Sequence, residues 1–210
     1  MALLTTKALV IINELKKLFP KSRTALNWST PWELLAATIL AAQATDKKVN
    51  EITKQLFKKY PTVNDYARAD LKDFQNDIKQ IGLFRNKAKN ILATAKIITE
   101  KYHGQVPKTM AELVELPGIG RKTANIVLSS AFGVIEGIAV DTHVRRLTQL
   151  FGLSKNDDPN KIEQDLMKIV PKKEWRQFNY RLVDYGRKYC PARCQHKDCP
   201  LKKFIAGNMN

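Results

Sequence analysis

Long apolar runs, cysteines, strand-like alternation and negative charge are all scarce in this sequence of 210 residues. The most apolar stretch, Leu34 to Ala42, is less than half of the roughly 20 residues that a membrane-spanning helix needs, so no span is expected. Met1 to Phe19 is interrupted by Lys7, Glu14, Lys16 and Lys17, and no small-residue cleavage site follows. No export signal is therefore expected, and the expected location is the cytoplasm. The three cysteines, Cys190, Cys194 and Cys199, form an odd, local set. In a reducing compartment such a set points away from disulfides and towards a metal loop or its remnant.

Carboxylates are outnumbered. The chain carries 36 Lys and Arg against 20 Asp and Glu, a formal charge of +16, in a composition that is 44% hydrophobic. That hydrophobic content excludes a disordered basic tail. In a folded chain so large an excess attracts polyanions, of which nucleic acid is the commonest. A membrane surface fits less well, because no segment sets its Lys and Arg opposite an unbroken apolar face.

What is abundant is helix signal. Ala8, Ile11, Ile12, Leu15 and Leu18 repeat at the spacing of one helical face, which ends before Pro20. Thr30-Pro31-Trp32-Glu33 predicts a helix start with a capping box and a proline in the first turn. Further helices are predicted at Val49 to Phe57, at Leu71 to Ile78 with Gly82 as a left-handed end, at Ala88 to Ile98, and from Thr109, where another capping box is expected. Another runs from about Gly120 to Phe132, with Gly133 after it. Asp141 and Asp158-Pro159 cap two more, and a last amphipathic segment spans about Glu174 to Tyr189. Gly137 to Val140 is short enough to be one extended piece, which makes no sheet. The expected fold is all-α, with many short helices and tight turns.

Glu115-Leu116-Pro117-Gly118-Ile119-Gly120-Arg121-Lys122-Thr123-Ala124 reads as a helix-hairpin-helix. Gly118 and Gly120 permit a tight turn and remove side chains that would hold a ligand away. The amides of the turn and of the next helix's first turn then face a phosphate. Such contacts position DNA without reading its sequence. A plain αα-corner with a glycine turn is the alternative, which the Arg121-Lys122 pair disfavours.

Lys122 has two readings, a phosphate contact or a nucleophile. A free lysine amine, with a pKa near 10.4, is neutral in only about one molecule in a thousand at pH 7.4. A nucleophilic role needs that pKa lowered. Burial in a closed pocket, the positive helix start and neighbouring Arg121 all act in that direction. Asp141, within Ala139-Val140-Asp141-Thr142-His143, reads as an N-cap. A carboxylate at a helix start stays ionised, so it can also balance positive charge developing on a sugar. His143 reads as a packing or phosphate-contacting residue.

With these residues in hand, the sequence resembles the endonuclease III family of DNA glycosylase/AP lyases. The likeness extends over nearly the whole chain, through Ser29 to Leu35, Ala42-Gln43-Ala44-Thr45-Asp46, Ile81-Gly82-Leu83, Leu116 to Val127, Ala131-Phe132-Gly133, Ala139 to His143 and Gly186-Arg187. The resemblance implies two helical lobes with DNA across the cleft between them: a central domain at 25–134 carrying the hairpin, and a second domain formed by 1–24 with 135–210. It implies that Lys122 forms a Schiff base and that Asp141 is the essential aspartate. It also implies that Gln43 and Leu83 enter the duplex, one filling the gap and the other wedging the stack. An enzyme that acts on a base must extrude it, which costs a few kcal/mol. Leu116, Gly118, Ile119, Gly120, Arg121 and His143 are the remaining expected DNA contacts. The implied activity is removal of oxidised pyrimidines and cleavage of abasic sites by β-elimination. The expected partner is double-stranded DNA carrying such lesions, met by a monomer associated with the nucleoid, with no membrane and no cofactor needed for catalysis.

The sequence departs from the family at the cysteine loop, where members commonly bind a [4Fe-4S] cluster through four cysteines. Here three cysteines are irregularly spaced, and Ile205 stands about where the last ligand is expected. A cluster normally takes four thiolates. His196 offers a fourth zinc ligand by residue type, but its spacing from Cys194 looks too tight. The expected order is therefore no metal first, a zinc or irregular site second and an intact cluster third. Asn179, where relatives often have histidine, is a smaller departure. Two rival functions are a monofunctional glycosylase using water, against which Lys122 argues, and a non-catalytic helix-hairpin-helix DNA binder. The joint presence of Lys122, Asp141, Gln43 and Leu83 argues against the second.

Overall fold

A computed structural model describes residues 2–205, and every regular element among them is helical. By its internal contacts the chain divides into two compact units, one spanning Ala25–Val134 and one built from both ends, Met1–Thr24 with Ile135–Asn210. The chain opens with α1 (Ala2–Leu18), whose Ala8, Ile11, Ile12 and Leu15 are buried at the predicted helical spacing.

The middle unit follows. α2 (Pro31–Leu40) starts as the sequence predicts: Thr30 Oγ1 accepts from Glu33 N at 3.2 Å, and the Glu33 carboxylate accepts from the Ser29 and Thr30 amides. Trp32 and every residue from Leu34 to Leu40 are buried, so α2 is the central helix of this core. α3 (Asp46–Lys59) is capped by Thr45. α4 (Val63–Arg68) has a complete capping box between Thr62 and Asp65. Sequence periodicity passes over this helix because six residues are too few to display a period. α5 (Leu71–Ile78) is capped by Asp70, and Tyr66 of α4 packs edge-on against both Trp32 and Phe74 with ring centroids 5.1 and 5.6 Å apart.

α6 (Phe84–Lys101) is the long helix of the unit and packs against α2, α4 and α5. The left-handed residue before it is Leu83, at φ 60°, and not the expected Gly82. α7 (Met110–Val114) is capped by Thr109 Oγ1, but Glu112 accepts from the Thr109 hydroxyl instead of its amide, so only half of the expected box forms. α8 (Arg121–Val127) widens into a π-helical turn over Leu128–Phe132 and stops at left-handed Gly133.

The second unit adds α9 (Thr142–Leu150), α10 (Pro159–Ile169) and α11 (Trp175–Lys188) to α1. Gly137 to Val140 forms no strand and enters α9 as buried irregular chain. Buried Glu174 accepts from the half-exposed Lys16 at 2.7 Å, which joins the two ends of the sequence, and from the buried Arg181 at 3.3 Å. Arg181 also donates to the Phe19 carbonyl at 3.1 Å.

Because α2 is enclosed from Leu34 to its end, truncating it there should be felt through the whole middle unit. Leu35, fully buried, when changed to alanine should lose roughly 2–5 kcal/mol of stability. Leu3→Ala, at a position 79% exposed, should change it by less than about 0.5 kcal/mol. Urea denaturation of the two variants measures the contrast, and equal midpoints would contradict it.

Candidate functional site

The hairpin between α7 and α8 is seated from below by alternating burial. Leu113, Leu116 and Ile119 are buried, while Gly118, Gly120, Arg121 and Lys122 are exposed. The amides of Leu116 and Ile119 donate back to Leu113 O and Leu116 O at 3.2 and 3.1 Å. Leu116 and Ile119 thus anchor the turn through buried side chains and backbone amides. Gly118 has φ 78°, and a Cβ there would stand 2.6 Å from Asn90 Nδ2. Thr94 Oγ1, one helical turn further along α6, donates to the Pro117 carbonyl at 3.0 Å. Gly120 caps α8 without a side-chain hydrogen bond, and a Cβ there would meet nothing within 4 Å. The first turn of α8 thus opens onto solvent with its amides facing outward.

Lys122 is the second residue of α8 and is exposed. The chain alone does not provide the closed pocket expected around its amine, which makes no hydrogen bond or ion pair among the described residues.

In the second unit, Asp141 caps α9: its Oδ1 accepts from Val144 N at 2.8 Å, and Val144 is fully buried. The residues before it are pinned. Asn179 of α11, itself buried, donates to the Ala139 carbonyl at 2.6 Å. This gives the departure at 179 a function that sequence pattern could not reveal. Half-buried His143 packs against Gly186, where a Cβ would come 2.5 Å from its Nδ1. Arg146, one turn on, donates to the Cys190 carbonyl at 2.5 Å and tethers α9 to the cysteine loop.

Gln43 and Leu83 lie on adjacent loops of the middle unit. Both are exposed and both are left-handed, at φ 54° and 60°. Leu83 is 56% exposed, so it is not a hydrophobic helix-end contact. A Cβ on Gly82 would be 3.8 Å from the Gln43 carbonyl. Between the two loops stands Lys87, a residue that sequence reading missed, only 4% exposed. Its ammonium donates to Leu40 O at 2.8 Å and Ala42 O at 2.5 Å, and burial holds its pKa below the usual lysine value. A cavity of about 570 Å³ lined by Trp32, His103 and Lys108 contains none of Gln43, Leu83 or Lys122.

Cys190, Cys194, His196 and Cys199 converge: their ligand atoms all lie within 4.8 Å of one another. Cys194 Sγ is 3.3 Å from Cys199 Sγ, and His196 Nδ1 is 3.5 Å from Cys190 Sγ and 3.7 Å from Cys199 Sγ. His196 adopts φ 60°, which turns the loop back and brings its ring inward.

The profile of the HhH-GPD superfamily of base excision DNA repair proteins matches residues 36–172. The chain is 48% identical to an endonuclease III from Synechocystis over 187 residues, covering 89% of this chain and 85% of that protein. It is similar to a solved non-covalent endonuclease III–DNA complex, with 42% identity, a TM-score of 0.92 and coverage of 97% of this chain and 96% of that one. A trapped covalent endonuclease III–DNA intermediate matches with the same identity, TM-score and coverage.

The expectation of a tail without metal is overturned. Endonuclease III relatives carry a [4Fe-4S] cluster, and this chain gathers four metal-binding donors where the sequence suggested a remnant. Three thiolates and an imidazole are a ligand set known from both zinc and iron–sulfur chemistry. The observed spacings approach the ~3.8 Å edge that Zn–S bonds of about 2.3 Å set in a tetrahedron. Around a four-iron cluster, where each iron takes its own ligand, the same side chains would stand further apart. Metal analysis of the purified protein should find iron or zinc, and visible absorption should tell a cluster from a single ion. His196→Ala should lower the metal content and the melting temperature together. A stable protein containing neither metal would contradict this prediction.

Proposed function

This chain belongs to the endonuclease III family of the HhH-GPD superfamily, and we propose that Lys122 and Asp141 carry its chemistry. The protein is a bifunctional base excision DNA glycosylase and AP lyase with DNA as its partner. The observation that carries the residue assignment is the placement of Lys122 on the exposed first turn that follows the hairpin. A phosphate docked on the outward amides of Gly120 and Arg121 would set the adjoining sugar beside that amine, and the DNA itself would then exclude water from it.

The reaction begins with the Lys122 amine attacking C1′ of an extruded nucleotide that carries an oxidised pyrimidine. The C1′–N bond breaks, and the base departs with the electron pair and takes a proton. Asp141 faces the positive charge that develops on the sugar and accepts the proton lost by the amine. Ring opening leaves an iminium between Nζ and C1′. Loss of a C2′ proton then expels the 3′ phosphate by β-elimination, and water hydrolyses the imine to free the lysine. At an abasic site the same sequence starts from the sugar aldehyde. Gln43 fills the space left by the extruded nucleotide and Leu83 wedges the stack, offsetting part of the cost of extrusion. A metal in the cysteine loop would fix Cys190, whose carbonyl holds Arg146 and so steadies α9 behind Asp141. The +16 charge draws the protein to duplex DNA, and the expected site of action is the bacterial cytoplasm at the nucleoid.

Borohydride reduction during reaction with a thymine glycol duplex should yield a covalent protein–DNA adduct, and Lys122→Gln should abolish it. Base release without any adduct would indicate attack by water. Asp141→Asn separates charge from capping, because asparagine is as good an N-cap as aspartate. Its melting temperature should stay near that of the parent, while turnover falls by roughly 10²–10⁴. Unchanged turnover would remove Asp141 from the mechanism.

A further inference from the structure

Lys87 is a buried cation with no carboxylate partner among the described residues, and both of its partners are backbone carbonyls. Such a group is unfavourable as packing alone, since an apolar side chain of the same length would fill the space without a charge to desolvate. Its two acceptors explain its presence. Leu40 O and Ala42 O belong to the C-terminal end of α2, where helix carbonyls lack intrahelical partners and carry partial negative charge. The Lys87 amide meanwhile donates to Leu83 O at 3.1 Å. That backbone bond is the first i→i−4 bond of α6, which any residue at 87 would make; what the lysine adds is its side chain, which ties the helix start directly after Leu83 to the residue before Gln43. Left-handed backbone is unfavourable for residues such as Gln43 and Leu83, so both conformations need an outside hold of this kind.

We infer that Lys87 is a positioning residue for base extrusion, holding Gln43 and Leu83 in register so that both enter the duplex together. This rests on the reading of Gln43 and Leu83 as the plug and the wedge. Lys87 touches no substrate and acts only through them.

The test compares two substrates under single-turnover conditions. One duplex carries thymine glycol opposite adenine, which must be extruded and whose partner must be accommodated. The other carries an abasic site opposite an abasic analogue, which leaves no base to extrude or replace. Lys87→Met should slow the first reaction at least tenfold and the second less than threefold. A general loss of folding would slow both alike. With 2-aminopurine opposite the lesion, the fluorescence rise at saturating protein should fall to less than half that of the parent.

Gln43→Ala and Leu83→Ala serve as references. If they shift the ratio between the two substrates and Lys87→Met does not, the positioning role is wrong while the plug-and-wedge reading stands. If neither reference variant shifts it, that reading fails and the inference falls with it. Equal slowing of both substrates by Lys87→Met would make Lys87 a stability residue only.

Discussion

The hairpin can lie where it does because residue 118 has no side chain. The backbone there is left-handed, and any Cβ would press into the Asn90 amide at 2.6 Å. This close approach seats the turn directly on α6, and Thr94 secures it through the Pro117 carbonyl. The same helix organises the other edge of the unit. Leu83 precedes it, and Lys87 reaches from its first turn to the end of α2. Positions 83, 87, 90 and 94 recur at helical spacing, so the start of α6 and one stripe along it carry the exposed Leu83, the clamp on the Gln43 loop and both supports of the hairpin. This helix of 18 residues thereby sets the distance between Leu83 and the hairpin that precedes Lys122. A shift of about 1 Å in such a frame costs roughly a hundredfold in rate.

The unit built from both chain ends uses the same economy for a single carboxylate. Asp141 is fixed by its own cap, by the buried Asn179 bond two residues earlier, and by close packing of Gly186 on His143. Arg146 extends this support to the cysteine loop. That loop thus stands two hydrogen-bonded steps from the aspartate, and metal bound there would be felt in its orientation without taking part in bond making.

Helix caps were the most legible feature of the sequence, because a threonine or aspartate before a helix reports a purely local hydrogen bond. Thr30, Asp141 and Asp158 all act as their spacing predicts. What escaped depends on tertiary contacts or on backbone sign. Gly82 is the residue that composition favours for a left-handed backbone, yet Leu83, the N-cap of α6, takes that conformation, which residue type alone does not foresee. Lys87 reads as an ordinary helix lysine until the carbonyls of a distant helix end are seen beside it. His196 lay too close to Cys194 for an extended loop, but a positive φ folds it onto the same point. Lys122 is exposed where sequence reasoning expects enclosure, for a related reason: burial is set by tertiary packing, which a local motif does not report.

The most direct test of the account is to locate the covalent bond. Protein reduced with borohydride during reaction on an abasic duplex, then digested with nuclease and protease, should yield one modified peptide, and fragmentation should place the sugar remnant on Nζ of Lys122. A remnant on any other amine, with Lys122 recovered unmodified, would contradict it.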